Sequence, residues 1–455
     1  MTRDPRDVIA QSPMSLLQIA VVAITIALNA LDGFDVLSIS FASPGIAREW
    51  GIDRGALGIV LSMELIGMSI GSLLLGGIAD KIGRRPATIG CLVVMAGGMG
   101  MATTVHGLVD LSIWRIFTGF GIGGMLAAIN AIAAEFSNHR RRHLSVSLMS
   151  IGYPLGAVVG GIAAARLLQT SDWRSVFYFG AGVTVVLIPI VVVFVPESVH
   201  WLARKQPAGA LEKLNRALSR MGHETVAALP DIPTEIRRQS VADIFSPSLV
   251  AGTTIVTLAY FFHITTFYFI VKWIPKIVVD LGFAPSSAAG VLVWTNVGGA
   301  LGGAAFGLLT LRYGLKALTI VILLASTVMV TAFGRAPADL RWLSIVCAAA
   351  GFCTNAGIVG LYAIIAQVFP THVRAFGTGF TIGVGRGGSV LAPIIAGFLF
   401  VAGYSLPTVA LAMALGSLLG AAVLFLLKFE TDRPATASEE QRSRRAQAPA
   451  VSHAH

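Results

Sequence analysis

GGIADKIGRRP, residues 76–86, is a short charged turn between two long apolar runs, and the chain carries a second version of it. GLLTLRYGLKA at 307–317 lies between two further apolar runs, at an offset of 231 residues. A second pair of segments follows the first. EFSNHRRRHLSVSLMSIGYP (135–154) aligns with VFPTHVRAFGTGFTIGVGRG (368–387) at an offset of 233. Phe136 then meets Phe369, His139 meets His372, Arg141 meets Arg374 and Gly152 meets Gly385, while Tyr153 falls opposite Arg386. A long repeat marks a structural unit used more than once. Two copies in the same order predict two related halves, with a substrate site near the midplane between them and exposed to each side in turn.

Crossing a bilayer core takes about 20 apolar helical residues. Outward from the turns, stretches of that length fall at about 16–42, 56–79, 86–106, 108–135, 144–168 and 173–195. Six more fall at about 248–279, 286–311, 316–334, 340–368, 372–400 and 404–428. Composition agrees. Of 455 residues, 55% are hydrophobic and only 12% charged, with a mean hydropathy of +0.78, whereas a soluble domain uses about 25% charged residues. The 50 glycines suit helices that approach closely in lipid. The fold class is all-α integral membrane: twelve transmembrane helices as two parallel six-helix repeats. The expected layout is an N-terminal segment (1–15), a first six-helix bundle (16–195), a central loop (196–247), a second bundle (248–428) and a disordered tail (429–455).

The formal charge of +10 and pI near 9.9 describe topology, because the basic residues are unevenly placed. With the N-terminus inside, the cytoplasmic side receives Lys81, Arg84, Arg85, Arg140, Arg141, Arg142, Arg312, Lys316 and Arg374, together with Arg442, Arg444 and Arg445 of the tail. The other side receives a scatter that includes Arg48, Arg54, Arg174 and Arg341. Both termini are therefore expected in the cytoplasm, and nucleic acid is not an expected partner. Cys91, Cys347 and Cys353 sit in apolar runs without metal-ligand spacing, so they read as packing residues; neither a disulfide framework nor a metal or cofactor is expected. Arg3 and Arg6 precede an apolar run too long for a signal-peptide core, which reads as a retained first span. In the central loop Leu211, Leu214, Leu218 and Met221 recur at helical spacing, predicting an amphipathic helix against the cytoplasmic face that tethers the halves.

GGIADKIGRRP resembles the signature loop of the major facilitator superfamily. RIFTGFGIGG (115–124) is similar to that superfamily's fourth-helix motif, and VPESVHWLARK (195–205) to its motif after the sixth span. ALDGFDVLSIS in the first span, with Asp32, Gly33, Phe34 and Asp35, resembles the aromatic acid:proton symporter family. The resemblance covers about residues 16–428. It implies the major facilitator fold, a bacterial inner membrane and a benzoate-type substrate, and it associates Arg115 with proton coupling. One departure is that Leu311 stands where the first copy of the loop has Asp80, so the second gate cannot use the same carboxylate.

An ionisable group inside a span costs several kcal/mol at the bilayer centre, so each needs a partner or a task. Asp32 and Asp35 are three apart and share a helix face. Two buried carboxylates so close resist joint ionisation, which suits proton carriers; a structural ion pair or a helix-end cap is the alternative, and Gly33 between them can bend the helix. Arg386, about fourteen residues into its span, reads as the only cation near mid-span. It calls for an anion, either a substrate carboxylate or one of the aspartates. His263 falls opposite Asp32 by the repeat and is either a proton relay or hydrogen-bond partner of a ring substituent, or a histidine satisfied by a backbone carbonyl. Tyr153 and Phe34 can stack on a ring, while Asn130, Asn296 and Asn355 can donate to a ring hydroxyl. Asp80, Lys81, Arg84 and Arg85 suit a latch made in one conformation and broken in the other, with Glu135, Arg141 and Arg374 as gate partners. Glu64 has no evident partner.

These readings converge on a monomeric proton-coupled symporter that imports a small aromatic carboxylate by alternating access, its partners being that substrate, protons and the lipid bilayer. Symport of a non-aromatic carboxylate and proton-driven drug efflux are the rivals on the same scaffold, and a transporter-like receptor is the rival of another class. An enzyme is not expected, since no nucleophile–base pair or phosphate loop stands outside the lipid.

Overall fold

In the computed structural model, which describes residues 4–230, 241–370 and 373–428, the chain is helical throughout, with no strand among the described residues. The tail from 429, His372 and residues 231–240 lie outside them. A short α1 (Pro5–Gln11) precedes six long helices: α2 (Leu16–Trp50), α3 (Arg54–Ile82), α4 (Arg84–Ala102), α5 (Leu108–Glu135), α6 (Arg142–Thr170) and α7 (Arg174–Phe194). The central stretch holds α8 (Val199–Lys205), α9 (Ala210–Arg220) and α10 (Val241–Ile244). Six more long helices follow: α11 (Val250–Asp280), α12 (Pro285–Leu309), α13 (Leu315–Phe333), α14 (Leu340–Val368), α15 (Arg374–Val401) and α16 (Leu406–Phe425). Among the described residues, twelve helices are thus long and apolar enough to cross a membrane.

The packing obeys the repeat. In the first half α2 lies on α6 and α7, α3 on α5, and α4 on α5 and α7; in the second, α11 lies on α15 and α16, α12 on α14, and α13 on α14 and α16. Each contact has its counterpart at the matching helix. The seam between the halves is built the same way, from α3 against α15 and α6 against α12, with α2 and α11 meeting between them. Two related six-helix bundles joined along a two-fold seam are what the aligned segments predict.

Helix ends explain where the spans begin. Ser15 caps α2 and shares a reciprocal capping box with Gln18, whose amide also donates to the Phe136 carbonyl. Asp53 caps α3 and Asp339 caps α14. The amphipathic helix is present as α9, and its apolar face of Leu214, Ala217 and Leu218, followed by Met221, packs with Val195, Val199 and Leu202 and with Ile9 of α1. That surface is buried against the first half itself.

The halves are sealed at the end remote from the described chain termini. There Arg54 of α3 pairs with Asp280 of α11 at 2.8 Å. A Cβ on Gly58 would stand 2.4 Å from the Pro393 carbonyl, and one on Gly397 2.5 Å from that of Arg54. The ion pairs that described residues form across the halves, Arg54–Asp280 and Lys272–Glu64, both lie towards that sealed end.

Candidate functional site

Gly33 explains how α2 and α6 come close enough to shape a site. A Cβ there would stand 2.0 Å from the Tyr153 carbonyl oxygen, so only glycine lets the helices touch. The helix continues through Gly33 without a break; the residue serves close approach, where a bend was expected. Tyr153 then lines a partly open cavity of about 50 Å³ at the seam, together with Pro154, Phe267, Val271, Thr295, Asn296, Gly299, Ala300, Gly351 and Asn355.

Asp32 and Asp35 are both buried, and none of their four carboxylate oxygens has a hydrogen-bond partner among the described residues. Asp32 has Asp35, Arg386 and Glu64 within electrostatic reach, and Asp35 has Arg115 and Glu64. Arg115, fully buried, forms an ion pair with Glu64 and donates to the backbone carbonyl of Asp35 at 3.1 Å and to the Met99 sulfur at 3.1 Å. Its guanidinium also lies over the Phe177 ring. Glu64 has a second cation, Lys272, at 3.3 Å; Lys272 Nζ also donates to the carbonyl of Val36. Arg386 is therefore not the only cation deep in the spans. Sequence reading passed over Lys272, which stands eight residues inside the end of α11.

Arg386 is half-buried and reaches across the seam, where one guanidinium nitrogen donates to the Met68 carbonyl at 3.2 Å and to Ser72 Oγ at 3.3 Å. The expected contact with an aspartate is not made in this conformation; α3 backbone and hydroxyl oxygens take its place. A group of tyrosines surrounds this region, with Tyr260 and Tyr362 hydroxyls 3.2 Å apart and Tyr268 within electrostatic reach of Arg386.

Two expected substrate contacts are corrected by the packing. His263 is fully buried inside the second half, with Nε2 2.8 Å from the Thr354 carbonyl and Nδ1 2.8 Å from Ser417 Oγ. Both ring nitrogens are spoken for, so it is a satisfied structural histidine away from the pocket. Phe34 meets Phe179 edge-on at 5.2 Å and fills the slots that Gly160 and Gly180 leave open. It is core of the first half and does not line that cavity. Asn130 is exposed and donates to Leu126. Asn296 and Asn355 do line the pocket, but each commits an amide N–H to a backbone carbonyl, of Leu292 and Gly299 respectively.

The charged turn is held within the first half. Arg84 pairs with Asp80 at 2.5 Å and lies 3.6 Å from Glu135, which accepts from Ser198 Oγ. Arg85 donates to the Val192 carbonyl. Lys81 and Arg141 are exposed, and Arg374 donates to the Phe369 carbonyl; none of the three pairs with a carboxylate among the described residues. Glu197 is another residue that sequence reading passed over, although it stands inside VPESVHWLARK. Its carboxylate accepts from the backbone N–H groups of Arg84, Arg85 and Ser198, at the N-terminus of α4. Burial pushes that carboxyl above its usual range, against the pull of the three N–H groups. Trp201 donates to the Asp80 carbonyl, closing the grip on the turn.

Twelve spans in two seamed halves, with buried acids and cations at the seam, define a solute transporter and not an enzyme. The chain belongs to the Major Facilitator Superfamily, which it matches over residues 25–271 and 256–453. It is 30% identical to the 4-hydroxybenzoate transporter PcaK of Pseudomonas putida over 85% of this chain and 87% of that one. To the gallate transporter of the same species it is 27% identical, over 89% and 90%. In fold it resembles the crystal structure of a D-xylose-proton symporter, with a TM-score of 0.71 and 16% identity over 91% of this chain and 98% of that one.

Proposed function

We propose that the protein imports a small aromatic carboxylate together with a proton, by alternating access between its two halves. Relatives named for 4-hydroxybenzoate and gallate support the substrate class. The observation that carries the coupling is the pair of buried carboxylates, Asp32 and Asp35, neither of which has a hydrogen-bond partner among the described residues. Two such groups so close resist joint ionisation, which suits proton carriers. A monoanion held by Arg386 would offset the positive charge within electrostatic reach of Asp32 and favour a proton there. Substrate and proton then bind best together.

In this reading Arg386 holds the substrate carboxylate and Tyr153 the ring, while Asp32 and Asp35 carry the proton, with Arg115 controlling Asp35 through its backbone. The turn of Asp80, Lys81, Arg84, Arg85 and Glu135, with Arg141 of the same half and Arg374 of the other, gates the side that holds the termini, taken here as cytoplasmic. The sealed end would then face outward, and the conformation is the one that discharges inward. The test is uptake of labelled 4-hydroxybenzoate into vesicles of purified protein. Accumulation with acid outside, abolished by a protonophore, is expected; equal accumulation without any gradient overturns proton coupling.

A further inference from the structure

We propose that Lys272 is a second carboxylate-binding residue on the transport path, one that meets the substrate anion when the sealed end opens and from which Arg386, deeper in the same half, receives it. The assignment rests on the proposed transport of an aromatic carboxylate and adds a second anion site to it. Its basis is the way charge is divided between the halves.

The acids fully buried among the described residues, Asp32, Asp35 and Glu64, all stand on α2 and α3 of the first half. Lys272 and Arg386 stand on α11 and α15 of the second. The partners of Lys272 Nζ, Glu64 at 3.3 Å and the Val36 carbonyl, both belong to the first half. Parting the halves at the sealed end would therefore take both from it at once. Glu64 would keep Arg115, a cation of its own half. Asp280, the acid further out on α11, is already paired with Arg54 and Lys276. Lys272 is then a cation within the span that lacks a counter-ion, which is costly, and it faces the side from which the substrate anion enters. Two contacts between α11 and α15 set its height against Arg386. Trp273 Nε1 donates to the Pro393 carbonyl at 3.3 Å, and Thr265 Oγ1 to that of Gly388 at 3.3 Å. Lys272 thus lies near the level of Pro393, and Arg386 lies about 10 Å deeper, the rise of the seven helical residues between them. In the present conformation Glu64 occupies Lys272, while Arg386 has no carboxylate partner among the described residues. When the sealed end recloses, Glu64 would return to Lys272 and displace the substrate carboxylate towards Arg386.

The experiment measures KM for 4-hydroxybenzoate at each face of the purified full-length protein, reconstituted in vesicles in one orientation. Lys272→Met should raise KM at the face of the sealed end by about tenfold, as expected for one lost charge-assisted contact, and leave KM at the opposite face unchanged. Lys272→Arg keeps the positive charge and should stay within about threefold of wild type at both faces. Lys272→Gln repeats the measurement should the methionine variant not insert. A merely structural strut across the seam gives the opposite sign, because its loss favours opening of the sealed end and lowers KM there. Unchanged or lower KM at that face without Lys272, an equal rise at both faces, or a rise in Lys272→Arg as large as in Lys272→Met overturns the second site while leaving aromatic carboxylate transport standing. Absence of 4-hydroxybenzoate transport by wild type overturns both.

Discussion

Lys272 of α11 and Glu64 of α3 belong to different halves, and their side chains meet at 3.3 Å where neither is exposed to solvent. Glu64 is at the same time paired with Arg115 of its own half. One carboxylate therefore serves a cation of its own half and a cation of the other, and in the proposed alternating-access cycle the second contact would break when the sealed end opens. The two contacts are unequal in consequence. Lys272→Met removes the partner across the seam but leaves Glu64 paired, whereas Glu64→Gln strands two buried cations.

Breaking a buried pair so that charge is left uncompensated costs about 3–5 kcal/mol. Glu64→Gln should therefore lower the melting temperature of detergent-purified protein more than Lys272→Met. The reverse order would contradict the sharing of Glu64 between two buried cations.

The aspartates carry the second expectation. Asp32→Asn and Asp35→Asn keep side-chain shape but cannot take up a proton. Each should abolish gradient-driven accumulation, while exchange of labelled for unlabelled substrate at equal pH partly survives. Normal accumulation in both variants would remove the aspartates from the coupling mechanism.

Much of this was legible in the sequence, and the failures have a common physical cause. Span lengths, the two-half repeat and the charged turn depend on hydropathy and spacing, which are properties of the chain in one dimension. Placing His263 against Asp32 used the repeat to match depth along the helix, but depth says nothing about rotation about the helix axis. His263 turned out to face Ser417 and Thr354 within its own half. Phe34 failed for the same reason, because Gly160 and Gly180 on two other helices decide which way it points. Glu64 and Lys272 could be paired only once α3 and α11 were brought together, which no local pattern encodes.

The turn around Gly83 gives a third expectation. Its φ of +111° is accessible to glycine, and a Cβ would stand 2.2 Å from Glu197 Oε2. Gly83→Ala should therefore destabilise the first half, by about 1–3 kcal/mol for the backbone alone. Because burial raises the Glu197 carboxyl above 4.5, the folded state holds that proton more tightly than the unfolded chain. Its contribution to stability is present below the ordinary value and is lost as pH rises through the elevated one. Glu197→Gln should lack this dependence, which melting curves across that pH window would reveal.

Arg84 bridges Asp80 and Glu135, so Arg84→Ala breaks two contacts and Asp80→Asn weakens one. Both should slow turnover more than they weaken binding, Arg84→Ala the more strongly, because they bias the balance of conformations without touching substrate. Unchanged turnover with a large loss of affinity would contradict the latch.

Arg386 makes the strongest demand. In this conformation only Nη1 is engaged, by the Met68 carbonyl and Ser72 Oγ at 3.2 and 3.3 Å, both long for bonds from a charged donor. Nη2 and Nε make no bond among the described residues and present a fork suited to a carboxylate. A substrate carboxylate would thus exchange weak neutral partners for a bidentate, charge-assisted pair, and would draw the positive charge away from Asp32, which lies within electrostatic reach. Asp32 would then more readily take a proton, linking substrate to proton through one cation. Lysine supplies the charge without the fork, so Arg386→Lys should weaken equilibrium binding of 4-hydroxybenzoate by at least about tenfold, and Arg386→Ala should nearly eliminate it. Ser72→Ala removes a competing partner and should leave binding intact or slightly tighter. Binding measured across pH completes the test, because wild type should take up a proton on binding substrate and Arg386→Lys should take up less. Unchanged affinity in folded Arg386→Ala protein would sink both the clamp and the exchange.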